Sequence, residues 1–579
     1  MGLAQELAAA GVRRGAPLAV AVVPGRGVGL AWAGGTRAVV GDPRQVAEQL
    51  AVLGPRWTWW SAREAARPLV AAGFRPRACW DLGAVGMLLH GLRRSGPEAV
   101  WAAAHGRELP PEPGPRSHAP SLFDLPDAED ADGPVRADGQ LASSWVRGGW
   151  AGDIDDAARW AELAARLQRQ QEALLRGLPD PRPAAAPGSP GLALLTAYAE
   201  SAAALLAVEL EHDGLPLDEE AMTGLLAQMI GPRPADAAAE AAMRAARDER
   251  VLRRFPGPPV DLRNPAVVRE LLTRVGIDVP DTRSWRLERY AATSAPVAEL
   301  LAWRKTERVA TTYGWSWIDR NVGPDWRLRG EWGWADGGAG RMTASAGLHN
   351  LPAELRPGVR AEPGRVLVRA DLGQVEPRVL AAVSGDAGLA RAAREDDMYA
   401  PVAAALRCDR PTAKVAVLAA MYGQTSGAAG AALRDMERAY PRALGFLRAA
   451  EEEGRAGRDV RTYGGRLVRL GPHPPGVEPG RVSGYGRYAR NAVVQGAAAE
   501  LFKAWAASVR AGLARMDGEP RIVLCLHDEL LLHVPEAGAD DAVALVRSML
   551  EATAGWWAAG SGVRFVADVS VGHSWAEAH

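Results

Sequence analysis

Arg365-Val-Leu-Val-Arg-Ala-Asp371 reads as an apolar strand that delivers a carboxylate at its end, and Leu372-Gly-Gln374-Val-Glu376-Pro-Arg378 follows it directly. Far downstream, Ile522-Val-Leu-Cys-Leu-His527-Asp528-Glu529-Leu-Leu-Leu-His-Val534 reads as two apolar strands around a short polar turn. A carboxylate in such surroundings is costly without a partner, so the Asp-Glu pair inside this hairpin calls for a cation. Two strand-end acids from distant parts of the chain, Asp371 and Asp528, can share a pair of Mg2+ ions about 3.5 to 4 Å apart. That arrangement clamps the attacking and leaving oxygens in phosphoryl transfer. Either aspartate taken alone reads equally well as a surface turn residue.

A third stretch bears on the choice. Asp409-Arg410-Pro-Thr-Ala-Lys414-Val-Ala-Val-Leu418-Ala-Ala-Met-Tyr422-Gly423 opens like a helix, with an N-cap Asp and a Pro in the first turn. Arg410, Lys414, Leu418 and Tyr422 recur every four residues and so form one stripe. Two cations, an apolar surface and a ring in that order suit a nucleotide: charge for the triphosphate, a flat patch for sugar and base, a ring beside the template. A solvated basic face would not need Leu and Tyr in register. Of 68 Lys+Arg only Lys305, Lys414 and Lys503 are lysine, so arginine serves wherever a plain positive charge suffices. A retained lysine points to a compact donor with a tunable pKa, suited to proton transfer.

Formal net charge is -1, so a nucleic-acid partner must be argued from local patches. Between residues 440 and 490 lie ten Arg against five Asp+Glu, with Tyr463, Tyr485 and Tyr488 interleaved. The alternative there is a solvated charged face.

With 579 residues the chain is too long for one core and should hold two or three domains. No uninterrupted apolar stretch reaches the roughly 20 residues of a membrane-spanning helix. The start lacks the long apolar run and small-residue cleavage site of a secretion signal, so no membrane association and a cytoplasmic location are expected. Cys79, Cys408 and Cys525 make neither a metal-ligand spacing nor a disulfide framework and are expected as buried small hydrophobes. Residues 108–134 read as a long surface loop, and the Pro-rich residues 178–191 as an interdomain linker, with a boundary near 185. Before it, strand-like residues 18–23 and 28–32 and a helical run over 155–178 predict a small α/β domain. After it come amphipathic runs over 192–211 and 296–313, and strand signals return only at 366–371 and 522–534.

These three blocks, in order and at plausible spacing, resemble motifs A, B and C of family A DNA polymerases of the bacterial DNA polymerase I type. The resemblance extends to Gly340-Arg341-Met-Thr with Leu348-His-Asn350-Leu-Pro352, to Thr462-Tyr-Gly-Gly-Arg466, to Arg487-Tyr-Ala-Arg-Asn491-Ala-Val-Val-Gln495-Gly496, and to Leu301-Ala-Trp-Arg304-Lys305 with Thr312-Tyr313. It covers residues 190–579. It implies a multidomain α/β and α+β chain: an RNase H-like, degenerate 3′-5′ exonuclease-type domain over 1–185, then a right-hand polymerase domain over 186–579. The thumb would occupy about 192–325, the palm and fingers about 326–579, and no 5′ nuclease domain fits. Asp371 and Asp528 would hold two Mg2+ ions, which Mn2+ can replace, with the Leu372 carbonyl and Glu529 assisting. Arg410 and Lys414 would bind the triphosphate, and Lys414 would protonate the leaving pyrophosphate. Gln374, Leu418, Tyr422 and Tyr399 would complete the dNTP site, and Glu376 would be the gate against a ribose 2′-OH. His527 would meet the primer terminus, while Arg341, Arg487, Asn491, Gln495 and Tyr313 would touch DNA. Primer-template DNA and dNTPs are the implied partners of a monomer.

Departures are visible. Leu418 stands where the family carries Phe or Tyr, Tyr399 where a His helps to hold phosphates, and Cys525 where a Gln is usual. None removes a metal ligand. In the first 185 residues no Asp-x-Glu follows the first strand; Cys79-Trp-Asp81-Leu resembles a remnant, and Ala164 stands where a last Asp belongs. Three competing readings stay open: a single-subunit RNA polymerase, against which Glu376 argues; a non-catalytic DNA-binding homologue; and a polymerase with active proofreading.

Overall fold

A computed structural model describes residues 2–111, 133–423, 428–474 and 476–578. Most of the loop expected at 108–134 therefore lies outside the described residues. The chain forms two compact units, residues 1–213, 331–343 and 368–571 in the first and 214–330, 344–367 and 572–579 in the second.

In the first unit, a five-stranded sheet runs in the order Gly35–Val40, Gly27–Trp32, Pro17–Val23, Arg56–Trp59, Cys79–Asp81. The first three strands pair antiparallel, and the last two join parallel to them. The helix Ile154–Arg176 lies against this sheet. It approaches so closely that a Cβ on Gly29 would fall 2.1 Å from the Ala157 carbonyl carbon, so only glycine fits there. Trp60 stacks on Trp160 with ring centroids 4.5 Å apart. The expected α/β beginning is thus present, with the two predicted strands and the predicted helix in place.

The helix Leu192–Asp213 is apolar and long enough to cross a membrane by length and composition, yet 83% of that apolar window is buried inside the protein. Its Glu200 and Glu209 are buried as well. Each is paired: Glu209 receives both Nε and Nη2 of Arg510 at 2.6 Å, and Glu200 meets Lys503 at 2.5 Å and Arg466 at 2.7 Å. A buried charge without such partners would not be tolerated in a core. The Pro-rich residues 178–191 are packed rather than loose, since Arg182 is buried and donates to the Trp556 carbonyl at 2.8 Å. The first run of the first compact unit ends at residue 213.

A second sheet of the first unit has the order Arg521–Leu526, Glu529–Pro535, Arg365–Leu372, Ala567–Gly572. Its last strand escaped the sequence reading, as did several two- to five-residue strands elsewhere, because such short segments carry too few residues for alternation to register. Cys79 and Cys525 are buried as expected, but Cys408 is partly exposed; it follows the end of the helix Tyr399–Leu406, where packing stops.

The second unit is mainly helical, with Ala237–Leu252, Pro265–Thr273, Ser284–Ala291 and Ala295–Thr312 packed around Val251, Leu272, Leu287, Leu300 and Trp303. Buried Glu307 ties it together, accepting from Arg263 at 2.7 Å and from Arg244 at 3.0 Å.

Candidate active site

The strand Arg365–Leu372 ends beside the turn of the hairpin 521–535, and the Leu372 N–H donates to the Asp528 carbonyl at 2.9 Å. This bond brings the two strand-end aspartates together. Their mutual influence appears in their acidities. Burial first, then the Asp371 charge, pushes the Asp528 carboxyl up to about 6. Asp371 is raised too, by burial and by Glu529 and Asp568, against the lowering pull of Arg369. The hairpin turn puts His527 at φ 34°, in the left-handed region that tight two-residue turns demand and non-glycine residues seldom enter.

Arg369 was not singled out by the sequence, although it lies two positions before Asp371 and hence on the same face of the strand. It is buried, donates to Asp371 Oδ2 at 2.5 Å and faces Glu529 Oε2 at 2.9 Å. Glu529, expected beside the metals, is buried against this guanidinium. Asp568, on the unforeseen strand Ala567–Gly572, is a further acid acting on Asp371. Among the described residues no group of three or more His, Cys, Asp or Glu side chains is arranged to hold a metal. The donor set still fits a divalent cation in its chemistry: two close, partly buried carboxylates, each disfavoured as an anion by burial and by neighbouring acids.

Gln374 follows at φ 54° and is held there by its own side chain, whose Oε1 accepts the Met398 N–H at 2.9 Å and whose Nε2 donates to Asp397 at 3.2 Å. Arg378, fully buried, donates to five backbone carbonyls, those of Gly373, Ala393, Glu395, Asp396 and Arg564, and so clamps the loop that presents Gln374. Glu376 accepts from Arg341 and, at 3.0 Å, from the Tyr422 hydroxyl. Burial and the adjoining Arg341 lower the His527 imidazole, opposed by Glu376, which places all three side chains in one neighbourhood.

The helix Arg410–Tyr422 forms as expected, with Asp409 accepting the Thr412 N–H at 2.9 Å and Pro in the first turn. Arg410 pairs with Asp397 at 2.6 Å and sits over the Tyr399 ring at 5.6 Å. Asp397, which holds both Arg410 and Gln374, had no distinguishing sequence signal. Lys414 is exposed and makes no ion pair among the described residues; Leu418 is half-buried. On the helix Pro479–Leu513, Arg487, Asn491 and Gln495 fall four residues apart on one face, and Gln495 lies within interaction range of the Tyr422 hydroxyl. The single lysine of that helix, Lys503, is buried: it donates to the Gly340 carbonyl at 2.7 Å, tethering the residue before Arg341. Tyr313 is in the second unit, buried, with its hydroxyl donating to the Asn350 carbonyl at 2.7 Å.

A family model described as DNA polymerase family A matches residues 269–577. The thermostable DNA polymerase I of Thermus filiformis is 30% identical over an alignment of 313 residues that covers 49% of this chain and 36% of that protein. DNA polymerase I of Chloroflexus aurantiacus is 29% identical over an alignment of 282 residues that covers 44% of this chain and 30% of that protein. The matched region thus spans about a third of these relatives' own length. The solved POL domain of Pol1 from M. smegmatis, in complex with DNA primer-template and dNTP, is similar in fold with a TM-score of 0.66 at 19% identity, covering 100% of this chain and 98% of that one. The family match takes in more than half the chain, including every residue of the carboxylate site, and the protein belongs to DNA polymerase family A.

Proposed function

We propose that the protein is a DNA-directed DNA polymerase that adds deoxynucleotides to a primer 3′-OH. The observation that carries the reading is the adjacency of Asp371 and Asp528, joined through the Leu372–Asp528 backbone bond and each raised in pKa by burial and by neighbouring acids. Asp371 and Asp528 would hold divalent cations, Mg2+ or in its place Mn2+, whose charge would activate the 3′-OH and neutralise negative charge on the phosphoryl oxygens. The primer oxygen attacks the α-phosphate in line, the O3′–P bond forms, and the bond to the bridging oxygen breaks with pyrophosphate leaving. Lys414, exposed on its helix and four residues after Arg410, would meet the triphosphate with it and give the departing pyrophosphate a proton. Glu376, fixed between Arg341 and Tyr422, would exclude a ribose 2′-OH. His527, Arg341, Arg487, Asn491 and Gln495 would meet the primer-template near its growing end.

The 3′-5′ exonuclease function is read as lost. Two later Asp positions offer no support for it: Asp81 is fully buried, accepting from the Ala62 and Ala84 N–H groups and from Trp59 Nε1, and Ala164 is buried apolar surface. Residues 18–23 of the first strand are buried and wholly apolar. The protein would act as a single chain in the cytoplasm. Primer extension with dNTPs or rNTPs and Mg2+, by wild type and Asp528→Ala, tests the reading, with a mismatched 3′ end as a control. Extension with dNTPs only, lost in the variant, and an intact mismatched end are expected. Wild-type failure to extend, with persistent DNA binding, would favour the non-catalytic alternative.

A further inference from the structure

Away from the carboxylates, the first unit holds a cavity of about 740 Å³, within the roughly 300–1,000 Å³ typical of ligand sites. Its walls come from the loop after the helix Leu82–His90, the turn at 335–338, the hairpin at 466–470 and the first turns of the helix Pro479–Leu513. Two glycines let these walls close. A Cβ at Gly91 would lie 2.8 Å from the Leu467 carbonyl oxygen, and one at Gly338 would lie 1.9 Å from the Tyr488 hydroxyl.

The lining is basic and aromatic. Arg93 and Arg481 are exposed and make no ion pair among the described residues. Arg469 donates to the His90 carbonyl at 2.7 Å, and its acid neighbour Asp459 stands off at 3.8 Å. Arg466 also reaches the cavity but is neutralised by Glu200. Asp336 is the one acid among the lining residues, and its carboxylate accepts the Gly337 N–H. Tyr485 packs on His473 with ring centroids 4.6 Å apart, while Tyr488 remains 44% exposed. Arg469, Arg481 and both tyrosines belong to the arginine-rich stretch 440–490, and the carboxylate site uses none of them.

We propose that this cleft binds single-stranded DNA, with Arg93, Arg469 and Arg481 on phosphates and Tyr485 and Tyr488 under bases. Guanidinium groups beside accessible aromatic rings are the combination that tracks a single strand without reading its sequence. A duplex keeps its base faces internal and would leave the exposed Tyr488 ring without a base to stack on. That the nucleic acid is DNA rests on the polymerase reading.

The test is fluorescence anisotropy of a labelled oligothymidylate with the full chain across a salt series. Tyr485→Ala/Tyr488→Ala is expected to weaken binding about tenfold or more, the value of base–aromatic stacking. Arg93→Gln/Arg469→Gln/Arg481→Gln should flatten log K against log salt by about 2, at about 0.7 per phosphate contact. Should the triple variant fail to fold, Arg93→Gln alone should change the slope by about 0.7. Unchanged affinity and slope would overturn the proposal. A primer-template with a long 5′ overhang, compared with a one-nucleotide overhang, identifies the strand: loss confined to the long overhang makes the unpaired template the occupant, and loss confined to the free oligonucleotide makes it another single strand. Equal loss on both primer-templates would mean duplex contact and overturn the proposal. Asp371→Asn separates the two readings, since it should abolish primer extension and leave oligothymidylate affinity unchanged. If wild type extends no primer yet binds the oligonucleotide through these residues, the polymerase reading fails and the cleft stands.

Discussion

Replacing Asp528 by asparagine should make the metal-free protein more stable at neutral pH while abolishing its chemistry. Burial and Asp371 raise the Asp528 carboxyl from 3.8 to about 6. At about 1.36 kcal/mol per pKa unit, two units amount to about 3 kcal/mol as a ceiling. Allowing for partial exposure to solvent leaves about 1 to 2 kcal/mol. The sign follows from linkage. A carboxyl with a raised folded pKa contributes stability that is fully present below its unfolded value and lost as pH rises through about 6. Asparagine stays neutral, so Asp528→Asn should match wild type near pH 4 and exceed it above about pH 7. Urea denaturation in a chelator at both pH values measures this. Added Mg2+ should reverse the order at neutral pH by stabilising wild type more. A variant less stable than wild type at neutral pH in the chelator, or a difference independent of pH, would refute the reasoning.

Arg369→Met strands buried Glu529 beside Asp371 and should cost about 3 to 5 kcal/mol in chemical denaturation. Asp81→Ala removes an acceptor shared by two helix starts and Trp59, and should destabilise by about 1 to 3 kcal/mol while leaving mismatched 3′ ends as resistant to excision as in wild type. Gly29→Ala drives a methyl into the Ala157 backbone and should cost about 1 to 3 kcal/mol by thermal melting. Leu418→Phe, at the half-buried position of the nucleotide stripe, should change the ratio of dideoxynucleotide to deoxynucleotide incorporation in a chain-termination assay.

What could be read from the chain alone was periodic or local. The strand carrying Asp371, the hairpin carrying Asp528 and the capped helix with Arg410 and Lys414 announce themselves by apolar alternation, by a polar turn and by an N-cap before proline, and they fold within a residue or two of expectation. Groups that act through tertiary packing stayed hidden. Arg369 looks like an interruption in an apolar strand until Glu529 arrives from the hairpin to share it. Arg378 serves backbone carbonyls from three segments, and carbonyls leave no trace in a sequence. Lys503 stands out in the sequence only for the rarity of lysine, and its place, buried with Glu200 and tethering Gly340, depends on tertiary packing. Prolines mark 178–191 as a connecting stretch, but that Arg182 fastens it by donating to the Trp556 carbonyl depends on a partner far along the chain.

The most direct test of the carboxylate pair is Mn2+ binding followed by electron paramagnetic resonance with primer-template and a non-hydrolysable dNTP present. Wild type should bind Mn2+ with an affinity that both Asp371→Asn and Asp528→Asn reduce by at least about tenfold, the loss expected for about 1.4 kcal/mol or more. Equal binding by wild type and both variants would mean that these two aspartates do not hold the ions.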